Sequence, residues 1–130
     1  MARRAARHPT DRELEVLKII WRDGPSPVRR VRDALAGVRD LAVTSVTTVM
    51  NIMVEKGYLR RRKRGGVYVY RAVVGERDTS RRMLADLVER VFDGSRVAAA
   101  VNLLGDEQLD EEELEQIRQF LDAKRKRTKR

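Results

Sequence analysis

The sequence predicts a mainly α chain with one small β-hairpin, divided into a basic first part and an acidic second part. Three observations carry that prediction. Residues Leu41 to Gly57, LAVTSVTTVMNIMVEKG, set Val46, Val49, Met50, Met53 and Val54 on one side at helical spacing, with Thr44, Ser45, Thr47, Thr48, Asn51, Ile52 and Glu55 on the other. Next comes a run of five consecutive basic residues, Arg60 to Arg64, then Gly65-Gly66 and the Val- and Tyr-rich stretch Val67 to Val73. Gly-Gly between two such runs is a strong hairpin signal. Beyond Gly75 three further helical patterns carry apolar stripes broader than a lone surface helix needs.

Each element has a local reason. Residues 1–9 form a basic arm without pattern, expected to be disordered; His8, the only histidine, stands beside Pro9 with no second metal-ligand type nearby. Thr10-Asp11-Arg12-Glu13 matches a capping box and starts a helix, with Leu14, Leu17, Ile20 and Trp21 as its apolar stripe. Gly24-Pro25 breaks that helix. Ser26 is expected to cap the next, with Pro27 at its first position and Val28, Val31 and Leu35 buried. Ala36-Gly37 ends it, and a short connection leads into the 41–57 helix, which Gly57 terminates.

After a hinge at Val74-Gly75, a helix over Thr79 to Asp93 carries the doublets Met83-Leu84, Leu87-Val88 and Val91-Phe92. Gly94 breaks it and Ser95 caps a helix over Arg96 to Leu104. Asp110-Glu111-Glu112-Glu113 caps the last helix, where the dipole favours negative charge. Its stripe is Leu114, Ile117, Phe120 and Leu121, and residues 124–130 read as a solubilising basic tail.

Charge narrows the function. The chain of 130 residues carries a net +9, distributed as +10 over residues 1–74, −6 over 75–121 and +5 over 122–130. A basic domain followed by an acidic one implies a polyanion partner for the first and a protein partner for the second. The absence of Cys excludes disulfides and thiolate metal sites. With one isolated His, no Gly-rich phosphate loop and no metal-ligand spacing, an enzyme is not expected, and neither is a cofactor. No apolar run approaches the roughly 20 residues of a membrane helix. The opening residues lack the apolar stretch of a signal peptide, so a cytoplasmic protein without membrane insertion is expected.

The 41–57 helix shows short hydroxyl side chains where a surface helix normally carries Glu, Lys or Ala. Ser and Thr are mediocre helix formers, so several in two turns call for a reason. One is close approach to another surface, since short donor–acceptor side chains reach base edges, thymine methyls and phosphates; the alternative for this helix alone is an ordinary amphipathic helix whose polar face meets water. A helix with such a face, followed by a basic hairpin, has the layout of a winged helix-turn-helix, the helix entering the major groove and the wing following phosphates.

The predicted architecture is thus a winged helix-turn-helix domain over residues 10–74 and a three-helix dimerisation domain over residues 75–123. Thr44, Ser45, Thr47 and Thr48 are the candidate base readers. Arg29, Arg30, Arg60, Arg62, Lys63 and Arg64 are the candidate phosphate ligands. Three helices totalling about 45 residues make a poor core alone, and a second copy of the chain is the economical cover. The candidate interface is Met83, Leu84, Leu87, Val88, Val91, Phe92, Val101, Leu104, Leu114, Ile117 and Leu121. Two recognition helices then read the two half-sites of a palindromic operator. The rival reading is a sequence-neutral architectural DNA-binding protein, which charge alone would support.

ELEVLKIIW, LAVTSVTTVMNIMVEKGYL with GGVYVY, and FDGS with AAAVNLLGD resemble, in that order and spacing, the penicillinase-repressor family of the BlaI/MecI type. The resemblance covers residues 10–123. It implies a homodimeric winged-helix repressor of β-lactam-resistance or other stress genes. In the β-lactam branch it also implies a membrane sensor protease that triggers cleavage after an Asn, here the bond between Asn102 and Leu103. The chain departs from the family pattern at Ile52 and Gly66, where Arg is frequent, and at Leu103, where cleaved members carry Phe. It also lacks the C-terminal Cys pairs of the copper-responsive members.

Overall fold

The computed structural model describes residues 8–37, 40–105 and 108–128; residues 1–7 of the expected arm over residues 1–9 and the last two residues of the basic tail lie outside them. The chain divides into two compact units, residues 1–87 and 88–130.

The first unit begins with helix α1, Asp11–Asp23. Its N-cap is the expected capping box: the Thr10 hydroxyl accepts from the Glu13 N–H, and the Glu13 carboxylate accepts from the Thr10 N–H. Its buried stripe differs from expectation. Val16, Leu17, Ile19 and Ile20 are buried and Leu14 is only half-buried. The helix packs on α2, α3 and the sheet at once, and so buries a wider face than one stripe.

Ser26 does not cap the second helix. With Pro27 it forms a two-residue strand, β1, and its hydroxyl donates to the Gly24 carbonyl; Pro27 is itself the N-cap of α2, Val28–Leu35. Helix α3 runs Val43–Glu55. Strands β2, Leu59–Arg64, and β3, Val67–Ala72, form the hairpin, and β1 pairs with β3 to give an antiparallel sheet in the order β1-β3-β2. Gly65 and Gly66 have φ of 56° and 81°, the two positive values that a tight turn matching strand twist requires.

The core collects Val16, Leu17 and Ile20 from α1, Val31 and Leu35 from α2, Val46, Met50 and Met53 from α3, and Leu59 and Tyr70 from the hairpin. A buried ion pair closes one side. Lys56 Nζ donates to both Glu13 carboxylate oxygens at 3.0 and 3.2 Å, with side chains only 14% and 5% exposed. Burial pushes the neighbouring Tyr58 phenol up from its ordinary value, with the Glu13 charge adding to the effect.

Helix α4, Glu76–Val91, starts a turn earlier than the sequence pattern indicated, and the first unit ends inside it. Thr79 is buried and its hydroxyl donates to the Gly75 carbonyl at 2.7 Å. His8 is ordered: its Nε2 lies 2.9 Å from Asp86 Oδ2 and its Nδ1 2.9 Å from the Pro9 carbonyl, so the expected disorder does not extend to the end of the arm.

In the second unit, α5 is Arg96–Leu104, capped as expected by Ser95, whose hydroxyl accepts from the Ala98 N–H. Helix α6 is Glu111–Thr128, with Asp110 and Glu113 forming a capping box. Lys124 to Thr128 are thus helical rather than a loose tail, held where basic side chains complement the helix C-terminus. Among the described residues no helix is long and apolar enough to cross a membrane.

Candidate nucleic-acid interface

Helix α3 buries Val46, Met50 and Met53 and turns Thr44, Ser45 and Thr48 outward, with Thr47 half-buried. Thr44, Thr47 and Thr48 stand at i, i+3 and i+4 and share one face; Ser45 lies beside it. The Thr47 hydroxyl donates to the Val43 carbonyl at 2.7 Å and the Thr48 hydroxyl to the Thr44 carbonyl at 2.9 Å. With their protons committed to the helix, these two side chains offer lone pairs and methyl groups outward. Lone pairs suit the exocyclic amines of adenine or cytosine, and methyl groups suit thymine. The N-cap, Ala42, makes no side-chain hydrogen bond, the Ser45 N–H donates to the Ala42 carbonyl at 3.0 Å, and the first turn of α3 carries the positive end of its dipole.

The hairpin register divides the basic run between two faces. Arg60 stands opposite Arg71, Arg62 opposite Val69 and Arg64 opposite Val67; these share the outer face. Leu59 opposite Ala72, Arg61 opposite Tyr70 and Lys63 opposite Tyr68 share the other, which meets the core through buried Leu59 and Tyr70. The candidate phosphate ligands Arg60, Arg62 and Arg64 therefore act as one group. Lys63 belongs to the inner face, its Nζ 5.7 Å from the centroid of the Tyr68 ring.

Sequence reasoning missed Arg71. It lies directly across from Arg60, an arrangement that repels, and it extends the outer face into an open groove of about 560 Å³ lined by Arg60, Arg61, Arg62, Arg64, Arg71, Val69 and Pro25. Two like charges set rung to rung are a cost that a polyanion would relieve. Strand alternation would have found Arg71, two residues after Val69. Arg29 and Arg30 are exposed on α2, off its buried stripe.

The sequence matches the penicillinase repressor family over residues 9–123. The chain belongs to that family. It is a family of DNA-binding transcriptional repressors and not of enzymes. The chain is 28% identical over 120 residues to the penicillinase repressor of Bacillus licheniformis, covering 92% of this chain and 94% of that protein. It is 31% identical over 113 residues to the transcriptional regulator BlaI of Mycobacterium tuberculosis, covering 85% and 80%. A solution structure of monomeric Bacillus licheniformis BlaI in complex with the blaP half-operator is 28% identical; the match covers 58% of this chain and 90% of that one, with a TM-score of 0.48.

The candidate interface residues of the C-terminal helices are largely open to solvent. Leu84, Leu87, Val91, Val101, Leu104, Leu114 and Leu121 are exposed, as are Val97, Leu103 and Phe120; Met83, Val88, Phe92 and Ile117 are half-buried. Asn102 and Leu103 lie in the last turn of α5, with Leu103 68% exposed and the Asn102 amide donating to the Ala98 carbonyl at 2.9 Å. Among the described residues no group of three acidic or histidine side chains is placed to hold a metal ion.

Proposed function

We propose that this chain is a sequence-specific transcriptional repressor that binds a palindromic operator as a homodimer. The observation that carries the reading is the exposed hydroxyl face of α3 beside the arginine-lined wing. Thr44, Ser45, Thr47 and Thr48 read base edges; Arg29, Arg30, Arg60, Arg62, Lys63 and Arg64 hold phosphates, and Arg71 joins them. The exposed apolar residues from Leu84 to Leu121 support dimerisation through residues 75–123, because such faces seldom stay bare in water. A dimer holds two half-sites at once, and its affinity comes from that linkage.

The regulated genes are those of β-lactam resistance or a related stress response, by kinship with the relatives above. Induction proceeds by cleavage between Asn102 and Leu103 by a membrane sensor protease. Supporting it, the bond lies in an exposed nine-residue helix, shorter than the roughly 12–15 residues an isolated helix needs, so it opens readily into a protease. The cut would detach α6 and weaken the dimer. A sequence-neutral architectural protein remains the competing reading on charge alone.

The test is to select bound fragments from the source genome and to compare their shared motif with random duplex. A repressor binds its motif at least roughly a thousandfold tighter; equal binding would leave only the architectural reading. Treating the source cells with a β-lactam and following the chain by mass spectrometry tests cleavage. Derepression with residues 102 and 103 still joined would remove that step and leave the repressor reading intact.

A further inference from the structure

Asn51 continues the polar face of α3, four residues after Thr47 and seven after Thr44. Its side chain, however, is committed within the protein. Oδ1 accepts from Arg61 Nη1 at 2.9 Å and from the Tyr70 hydroxyl at 2.8 Å. A guanidinium has only donors, so chemistry requires the carbonyl oxygen, not the amide nitrogen, to face Arg61. Arg61 and Tyr70 are directly opposed across β2 and β3. One amide oxygen on the helix thus clasps both strands of the hairpin at a single rung. Tyr70 is also paired to Ser26 of β1, one rung before Val69, beyond which the three-stranded sheet gives way to a two-stranded ribbon. A two-stranded ribbon alone is marginal in water, and its direction needs an anchor.

Arg61 is held a second time, its guanidinium carbon 4.4 Å from the centroid of the Tyr68 ring. Arg60, Arg62 and Arg64 have no ion-pair or ring partner of this kind among the described residues.

We propose that Asn51 is a positioning residue for DNA binding: through Arg61 and Tyr70 it fixes the direction of the wing relative to the recognition helix. Arg61, although it stands in the middle of the basic run, is the brace and not a phosphate ligand. The inference rests on the DNA-binding reading above. A wing already aimed in the free protein avoids the ordering cost of fixing it on contact, and that saving is what the brace contributes to affinity.

A double-mutant cycle on the full chain separates brace from ligand. Asn51→Ala, Arg61→Ala and the double variant are titrated against the selected operator and against random duplex over a salt series, with Arg62→Ala alongside. Each single change is expected to weaken operator binding by about tenfold, and the double variant by no more than the worse single, because both break the same link. Arg61→Ala should leave the salt slope unchanged while Arg62→Ala lowers it. Independent, multiplying losses with a lowered slope for Arg61→Ala would make Arg61 a phosphate ligand and overturn the proposal. Nuclear magnetic resonance of the unbound wild-type chain gives a reading that needs neither variant nor operator. Slowly exchanging Arg61 guanidinium protons are expected, and fast exchange would overturn the brace. Slow exchange in a chain that shows no operator preference would instead defeat the DNA-binding reading and leave the brace standing.

Discussion

Replacing Arg62 by Ala removes one outer-face guanidinium from each protomer and two from a homodimer. Arg62 is exposed and faces Val69 across the hairpin, with no ion-pair partner among the described residues, so its loss leaves the fold undisturbed. Each phosphate contact contributes about 0.9 to the log–log dependence of affinity on salt, so the slope of the dimer should fall in magnitude by about 1.8. The seven candidate ligands of each protomer, Arg71 included, set a ceiling of about −13 for the wild type. Between about 50 and 200 mM salt, a difference of about 1.8 in slope shrinks the wild-type advantage by about tenfold. Fluorescence anisotropy with labelled duplexes at stepped salt measures it. The same change is expected on operator and on random DNA, since phosphates carry no sequence. An unchanged slope, or a loss confined to the operator, would refute the assignment of this face to the backbone.

Thr44→Ala or Thr48→Ala should cost about 1–3 kcal/mol on the operator and much less on random duplex; equal losses in the same titration would move α3 into the phosphate class. Lys56→Met leaves the buried Glu13 carboxylate without its cation and should cost about 2–3 kcal/mol, lowering Tm by roughly 10–20 °C in thermal denaturation; a loss below about 0.5 kcal/mol would mean the pair behaves as an exposed one. A chain ending at Leu87 should fold and stay monomeric in sedimentation at micromolar concentration, and a persistent dimer would move the interface into the first unit.

The features legible in the sequence are those that local chemistry decides. Thr10 and Glu13 announce the start of α1, Gly65-Gly66 the turn of the hairpin, and the spacing of Val46, Met50 and Met53 the buried side of α3. What was not legible depends on partners far along the chain. Ser26 and Pro27 look like a helix start because a two-residue strand has no pattern of its own; only β3, more than forty residues on, makes it one. Leu14 and Val16 are equally apolar, and packing on two sides of α1 decides which is buried. Glu13 reads as a capping residue and is one, yet its second partner, Lys56, is 43 positions away. In the interface itself the hydroxyl face and the basic run were visible, whereas the division of the arginines between two faces needed the register. Asn51 looked like one more polar residue until Arg61 and Tyr70 were brought to it.

The Trp21 indole N–H donates to the carbonyl of Val74 at 2.9 Å, where the hairpin gives way to α4. It is the only tryptophan, and all three tyrosines, Tyr58, Tyr68 and Tyr70, lie in the same unit; the unit of residues 88–130 has phenylalanine as its only aromatic residue type. The chain is therefore spectroscopically one-sided. Tryptophan and tyrosine absorption, dichroism and fluorescence report directly on the unit of residues 1–87, and the two phenylalanines of the other unit add only weak signals. A fluorescence signal that changes when the C-terminal helices are perturbed would be direct optical evidence that the disturbance has travelled into the unit that holds Trp21.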